Sequence, residues 1–199
     1  MLKPERNVPP PETVLGWVDA SGNLWVFGGY AQDSTGAVGY LNDLWEYSPA
    51  SNEWTWVGGS ATANAKGVYG SEGVAAATNV PGARWDQVYW TDASGNLWMF
   101  GGYGYDSAGT LGELNDLWKY SPTAGMWTWV GGSDTANGNG VYGTLGVAAA
   151  ANVPGPREEM AVWTVGNGDA WLFGGEGHNA TGADPSTPQW NDLWKYPTQ

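Results

Sequence analysis

Short runs of Val, Trp, Tyr and Phe alternate along the chain with clusters of Gly, Pro, Asn, Asp and Ser. This pattern is typical of short strands separated by turns, and no segment has the 3.6-residue period of an amphipathic helix. In the first 60 residues it predicts four strands, at about 14–18, 23–27, 43–47 and 53–57. The pair Gly28-Gly29 is expected to end the second strand, because glycine allows a bend without a Cβ clash. The sequence therefore predicts an all-β fold.

The same pattern returns twice, at a spacing of 73 residues. The segment NLWVFGGY at 23–30 recurs at 96–103, with Met99 in place of Val26, and with more changes at 169–176. The block NDLWEY at 42–47 recurs as NDLWKY at 115–120 and again at 191–196, where the preceding loop is three residues longer. Repetition of this kind indicates one repeat domain, with copies at about 12–59, 84–132 and 157–199.

Long loops rich in Gly, Ala and Asn join the copies, over residues 60–83 and 133–156. Connections in compact domains are usually about 4–6 residues long. Each loop is therefore either an ordered Ω-like loop or a mobile segment. The centre Gly-Val-Tyr-Gly, at 67–70 and again at 140–143, favours an ordered loop that is anchored by Val68 and Tyr69.

The combination of these motifs resembles the kelch repeat. It comprises four strands per copy, a Gly pair after the second, an Asn-Asp-Leu-Trp-x-Tyr third strand and Trp in the fourth. The sequence Pro-Gly-x-Arg before the first strand, which ends at Arg84 and at Arg157, fits the same pattern. The resemblance implies a β-propeller similar to the central propeller of galactose oxidase, with each four-stranded sheet forming one blade.

The number of copies is too small for a closed propeller, which has about 4–8 blades. The third copy also stops before any equivalent of the Trp-Thr-Trp segment at 54–56, so it lacks its last strand. The Pro-rich residues 1–11 are poorly suited to replace that strand. Since an open arc leaves apolar faces and a sheet edge exposed, we expect two chains to join head to tail as a homodimer with six blades. The alternative is that the sequence is a truncated fragment of a longer kelch protein.

Composition excludes several classes of function. The net charge of −13, with 7 Lys and Arg, argues against nucleic acid or an anionic membrane as a partner. With no Cys and one His, the chain cannot form disulfides, a zinc–thiolate site or a multi-histidine centre. The copper-radical site of galactose oxidase needs a cysteine-linked tyrosine and two histidines, so that activity is excluded for the chain alone. No metal or cofactor is expected; turn chemistry accounts for Asp33, Asp106 and Asp184, and calcium binding is left open.

Tryptophan is the most unusual component, and the repeat explains most of it. Thirteen of the 15 Trp recur at equivalent positions in two or three copies. A residue required once per copy is better explained by packing between sheets than by contact with one ligand. Trp85 and Trp190 break the repeat, and we therefore consider them for recognition.

Residues that break the repeat concentrate just before the first strand of each copy, a segment that by resemblance lines the central channel. Two interpretations are open there: a site for a polar ligand such as a sugar, or ion pairs at a solvated channel mouth. The candidate ligand-binding residues are Glu12, Arg84, Trp85, Asp86, Arg157, Glu158 and Glu159, together with Trp190 in the loop at 177–190.

The sequence favours a non-enzymatic, kelch-like binding or assembly module that acts through its loop faces on a protein or glycan ligand. The alternative is a glycan-binding or epimerase-like propeller with its ligand in the central channel. No phosphate loop, serine nucleophile elbow or paired-histidine motif is present. The lack of Cys and the Gly- and Asn-rich composition suit an exported bacterial protein, although the first residues do not resemble a signal peptide.

Overall fold

A computed structural model describes residues 16–166, 168–177 and 189–197 of the chain. The described residues form sixteen strands, which are, in chain order, β1 (Gly16–Val18), β2 (Leu24–Gln32), β3 (Val38–Ser48), β4 (Glu53–Gly58), β5 (Arg84–Trp85), β6 (Val88–Thr91), β7 (Leu97–Phe100), β8 (Tyr103–Tyr105), β9 (Leu111–Glu113), β10 (Leu117–Ser121), β11 (Met126–Gly131), β12 (Arg157–Glu158), β13 (Ala161–Thr164), β14 (Ala170–Phe173), β15 (Glu176–Gly177) and β16 (Leu193–Tyr196). No helix among these residues has the length and apolar character of a membrane span.

Three larger antiparallel sheets correspond to the three sequence copies. Sheet I has the order β1-β2-β3-β4, sheet II the order β6-β7-β10-β11, and sheet III the order β13-β14-β16. Two smaller sheets, β5-β8-β9 and β12-β15, pair the segment before the first larger-sheet strand of the second and third copies with the segment that follows the Gly pair. The prediction of an all-β fold is confirmed, and sheet III has three strands within the described residues.

The turn between the first two strands of the first and second copies is built by an aspartate. Asp19 Oδ1 accepts hydrogen bonds from the backbone N–H groups of Ser21 and Asn23, at 2.8 and 3.0 Å. Its Oδ2 accepts from the indole of Trp25 at 3.0 Å. Asp92 makes the same contacts in the second copy. The Asp-Ala-Ser-Gly sequence thus forms a turn because the carboxylate satisfies the backbone donors of the turn.

The Gly pair does not end the second strand of the first copy. Strand β2 continues through Gly28 and Gly29, and its pairing with β3 shifts register between Phe27 and Gly29. Both glycines have positive φ, at 68° and 103°. A Cβ on Gly28 would lie 2.7 Å from the Arg84 carbonyl oxygen. The pair therefore forms a bulge that redirects the hairpin and lets a neighbouring chain segment approach closely.

Apolar side chains between the sheets form two separate clusters that repeat one another. The first lies between sheets I and II and comprises Trp17, Trp25, Phe27, Leu44, Tyr69, Leu97, Met99, Trp118, Tyr120 and Trp127. The second lies between sheets II and III and comprises Val88, Trp90, Phe100, Leu117, Met160, Ala170 and Leu172. The recurring tryptophans Trp17, Trp90 and Trp118 are buried in these clusters. Packing between sheets accounts for them, as the repeat predicted.

The long loops are ordered where the structure describes them. Val68 and Val80 exchange backbone hydrogen bonds at 2.8 and 2.9 Å, and Val141 and Val153 do the same in the second loop. Tyr69 is buried, and its hydroxyl donates to the carboxylate of Asp116, the residue before β10. Of the two possibilities that the sequence left open, the structure has the ordered loop.

Candidate functional site

Arg84, at the start of the second copy, belongs to a buried ion pair. Its guanidinium donates to both carboxylate oxygens of Asp116, at 2.5 and 2.6 Å. It also donates to the carbonyls of Gly82 and Gly101, at 3.1 Å each. The Asp116 carboxylate accepts further bonds from the Tyr69 hydroxyl and the Trp118 indole. Arg84 is fully buried, and its guanidinium is held by these contacts within the chain.

Arg157 repeats this arrangement in the third copy. It donates to the two oxygens of Asp192 at 2.6 and 2.9 Å. Burial opposes ionisation of this carboxylate, but the hydrogen bonds from Arg157, Trp194 and Tyr142 lower the pKa of Asp192 to about 2. The guanidinium also lies over the ring of Trp190, at 4.8 Å from its centroid. Arg157 and Trp190 are therefore brought together, in a structural contact.

The first copy has the aspartate of this arrangement without the arginine. Asp43 occupies the position of Asp116, and it accepts a hydrogen bond from the Trp45 indole at 2.5 Å. The residue 73 positions before Arg84 is Pro11, and among the described residues no arginine pairs with Asp43. Burial raises the pKa of Asp43 above its ordinary value. Within the part of the chain that the structure describes, the same motif thus gives an arginine-paired carboxylate in the second and third copies and an indole-bonded carboxylate in the first.

Trp85, which breaks the repeat, lies in an aromatic cluster with four tyrosines. The members of this aromatic cluster are Tyr30, Tyr40, Trp85, Tyr103 and Tyr105. Tyr40 is at its centre, with ring centroids 5.1–6.2 Å from those of the other four. Tyr30 is exposed, and the other rings are half-buried. The cluster therefore presents part of its ring surface to solvent.

Carboxylates lie beside the aromatic cluster. Asp86 and Glu159 both have positive φ, at 52° and 55°, and the Glu159 N–H donates to the Asp86 carbonyl at 3.3 Å. Burial and the nearby carboxylates of Asp86, Glu113, Glu159 and Glu176 raise the pKa of Glu158 to about 7. Burial, followed by Glu159, also raises the pKa of Asp86. The negative charge of Glu158 also raises the pKa of Tyr40, after burial and Tyr103 and Tyr30.

The structure divides the sequence-predicted residues into two groups. Arg84, Arg157 and Trp190 take part in ion-pair and cation–π contacts within the chain, whereas Trp85 belongs to the aromatic cluster and Asp86, Glu158 and Glu159 are the carboxylates beside it. Glu12 lies outside the described residues.

The aspartates considered for calcium form turns in the described copies. Asp33 accepts backbone hydrogen bonds from Thr35, Ala37 and, in the following loop, Ala63. Asp106 makes the equivalent contacts, including one with Ala136. Asp184 lies outside the described residues. Within the described ranges, no group of three or more His, Cys, Asp and Glu side chains is placed to hold a metal ion.

Sequence reasoning missed the tyrosines of the aromatic cluster. Tyr40 and Tyr105 stand where the neighbouring copy has Glu113 and Gln32, so both break the repeat. That difference was the available signal, because side chains that change between copies are not needed to form the shared sheet. As a chemical surface, ring faces beside carboxylates suit a ligand that has an apolar face and hydroxyl groups.

Comparisons with known proteins do not assign the chain to a family. No family model matches it, and no curated protein matches it. Among solved structures, it is similar to one titled "Structure of YjhT", with a TM-score of 0.47 and 15% identity. The match covers 94% of this chain and 68% of that one.

Proposed function

We propose that the chain is a non-enzymatic assembly and binding module of the kelch type. Two chains join head to tail to complete a six-bladed propeller, which binds a partner through its loop faces. One observation carries this proposal. Residues on the outer faces of sheets I and III are exposed, whereas the equivalent residues in the other copies are buried between sheets.

The outer face of sheet III carries residues whose equivalents in sheets I and II are buried. In sheet I they are covered by sheet II, and in sheet II they are covered by sheet III. Trp163, Phe173 and Leu193 are 45%, 46% and 53% exposed. Their equivalents in the first copy, Trp17, Phe27 and Leu44, are at most 3% exposed in contact with sheet II. In the second copy, the equivalents Trp90, Phe100 and Leu117 are buried against sheet III. Exposed apolar patches of this kind mark interaction surfaces.

The outer face of sheet I supplies the complementary surface. Leu24 is exposed, whereas its equivalents Leu97 and Ala170 are fully buried. Trp45 is half-buried, whereas Trp118 is fully buried. Sheet III of one chain can therefore meet sheet I of a second chain through contacts like those that join sheets I and II within a chain. An interface between two different surfaces closes into a ring only when its rotation allows closure.

Light scattering on the purified chain tests this assembly. We expect twice the monomer mass, and we expect the monomer mass for Leu24→Glu on one face and Phe173→Asp on the other. The matched control is Val38→Glu, which changes an exposed apolar residue outside these two faces and should leave the mass unchanged.

Mixing the two variants identifies the symmetry. In a mixed dimer, the unchanged sheet III of the Leu24→Glu chain meets the unchanged sheet I of the Phe173→Asp chain. One of the two junctions is then intact, so the mixture should form a dimer that is weaker than the wild-type dimer. An interface between two identical faces would gain nothing from mixing. A folded wild-type monomer at all concentrations would overturn the proposal.

A second candidate function is glycan binding, and the aromatic cluster favours it. Exposed Tyr30 and half-buried Trp85 present ring faces beside Asp86 and Glu158. Such rings stack on the apolar faces of sugars, and carboxylates accept hydrogen bonds from hydroxyl groups. A glycan array with wild type, Tyr30→Ala and Trp85→Ala tests it, with Tyr47→Ala, outside the cluster, as the control. Loss in the first two variants alone supports this function, and an array without bound glycans contradicts it.

A further inference from the structure

The chain contains three Asn-Gly sequences, at 137–138, 139–140 and 167–168. Asparagine is a chemically labile residue, and a following glycine has no Cβ to keep its backbone nitrogen away from the amide carbon of the asparagine. Two of the three sequences lie in the second long loop, two residues apart, and the structure gives them different surroundings. Asn167 lies outside the described residues.

Asn137 is held by hydrogen bonds to β9. Its backbone N–H donates to the Glu113 carbonyl at 2.8 Å, and its side-chain Oδ1 accepts from the Glu113 N–H at 3.1 Å. Asn64 makes the same two bonds with Tyr40 in the first loop, at 2.7 and 3.0 Å. The Asn137 side chain also packs on Gly112, where a Cβ would lie 2.6 Å from its amide nitrogen. The amide must therefore leave β9 before it can react with the next residue.

Asn139 has none of these restraints. It is exposed, and within the described residues its side-chain amide makes no hydrogen bond. The equivalent residue of the first loop, Lys66, is exposed as well, and the copy that follows that loop has all four strands of sheet II. Exposure at this position is therefore a property of the loop and does not depend on what lies beside sheet III.

The residue after Asn139 is a glycine that the fold requires. A Cβ on Gly140 would lie 2.6 Å from the backbone nitrogen of Gly155, and a Cβ on the equivalent Gly67 would lie 2.9 Å from that of Gly82. The Gly67 N–H donates to the Asp106 carbonyl at 3.1 Å. In the part of the chain that the structure describes, the Gly140 N–H has no hydrogen-bond partner.

The segment at 138–140 lacks a second hydrogen bond of the first loop. There the Ala83 N–H donates to the Ala65 carbonyl at 2.9 Å. Pro156 takes the place of Ala83 in the next copy and has no N–H, so this bond cannot form. The three residues therefore have backbone freedom between two anchored ends.

We propose that Asn139 is a site of spontaneous deamidation and that the fold protects Asn137. The Gly140 nitrogen attacks Cγ of Asn139 and closes a succinimide ring. The Cγ–Nδ2 bond breaks, and ammonia leaves with the proton of the Gly140 N–H. Water then adds to one of the two imide carbonyls and opens the ring to aspartate or isoaspartate. The overall reaction consumes one water and releases one ammonia.

The product differs from asparagine in charge and in main-chain length. Either product adds a negative charge to a chain whose net charge is already −13. Isoaspartate also inserts a carbon into the main chain next to Val141, whose backbone pairing with Val153 orders the loop. The loop of an aged chain therefore differs from that of a newly made one.

Incubation of the folded chain at mildly alkaline pH tests the proposal. Tandem mass spectrometry of proteolytic peptides locates the mass gain that accompanies conversion of an amide to an acid. We expect conversion at Asn139 to be at least about tenfold faster than at Asn137, because Asn137 reacts only after its contacts with Glu113 open. Equal rates, or faster conversion at Asn137, would overturn the proposal.

The same measurement on the chain unfolded in guanidinium chloride is the control. Both asparagines precede glycine, so without the fold they should convert at similar rates. A difference that persists in the unfolded chain would contradict protection by the fold. Conversion of both in the unfolded chain and of neither in the folded chain would contradict a reactive Asn139.

The internal repeat provides two matched variants. Asn139→Lys introduces the residue of the first loop and should abolish conversion at this position, with the rate at Asn137 unchanged. Pro156→Ala restores the N–H that Ala83 has, and the added hydrogen bond should slow conversion of Asn139 by about twofold to tenfold. Near-ultraviolet circular dichroism verifies that both variants are folded. An unchanged or higher rate in Pro156→Ala would contradict the role of the missing bond.

Discussion

Asp116 and Asp43 occupy the same position in two copies of one motif, yet their surroundings differ. Asp116 is fully buried and is paired with Arg84, Tyr69 and Trp118. Asp43 is half-buried and has the Trp45 indole as its side-chain hydrogen-bond partner. The repeat therefore determines the strand and its local hydrogen bond, whereas the segments packed against the strand determine the charge environment.

The equivalent aspartate of the third copy, Asp192, differs from Asp43 in the direction of its pKa shift. Hydrogen bonds from Arg157 and other donors outweigh burial and lower the pKa of Asp192 to about 2, whereas burial raises the pKa of Asp43. Several hydrogen-bond donors, Arg157 among them, thus lower the pKa of Asp192, whereas burial outweighs the hydrogen bond to Asp43. Asp43 lies in sheet I, whose outer face is exposed at Leu24.

The largest expected effect is at the completed ion pair. Arg84→Met leaves Asp116 buried without its cation, and we expect a loss of about 3–5 kcal/mol of unfolding free energy. Urea denaturation measures it. The double variant Arg84→Met/Asp116→Leu should recover much of the loss, because it also removes the buried charge. A cost below about 1 kcal/mol for Arg84→Met would mean that the pair contributes no more than a surface one.

The second prediction compares covered and open sheet faces. Phe100 is fully buried between sheets II and III, so Phe100→Ala should cost about 3–5 kcal/mol. Its equivalent Phe173 is exposed, so Phe173→Ala should cost less than about 1 kcal/mol in the dilute monomer. Urea denaturation at several protein concentrations measures both. Equal costs at every concentration would contradict an open face on sheet III.

The third prediction concerns Glu158, which replaces Trp85 in the third copy. Its pKa in the folded chain is about 7 against an ordinary value of 4.5, so the folded state binds its proton more tightly than the unfolded state. Wild type therefore loses stability as the pH rises from about 4 to above 7, and Glu158→Gln removes that loss. At pH 8 the variant should melt about 2–4 °C higher than wild type. An equal difference at pH 4 would exclude titration as its cause.

The smallest expected effect is at Asp43. Since burial raises its pKa, its ionisation destabilises the folded chain as the pH rises through that pKa. Asp43→Asn should therefore gain stability relative to wild type with rising pH, by less than about 1 kcal/mol. Asp192→Asn should change in the opposite direction, because the depressed pKa of Asp192 stabilises the folded state above about pH 4. Denaturation at pH 3, 5 and 7 measures both, and the same sign in the two variants would contradict the contrast.

Much of the fold could be predicted from the sequence, and less of the candidate site. The alternation of apolar runs with turn residues predicted strands close to β1, β4 and the inner part of β2. It did not predict that β2 continues past Gly28 and Gly29, because positive φ permits a bulge as well as a turn. Trp85, Asp86 and Glu158 were found because they break the repeat. Tyr40 and Tyr105 were missed, although they break it too, because their rings meet only when two copies pack together.

The sequence alone determined the local features that recur every 73 residues: the strands, the aspartate turns and the tryptophans that pack between sheets. These depend on neighbours along the chain and on the alternation of side chains across a strand. The tertiary structure decided which equivalent positions are covered, which carboxylate has a cation, and where Tyr40 meets Trp85. Burial and electrostatic environment arise from segments far apart in sequence, so identical motifs acquire different physical properties at the middle and the ends of the array.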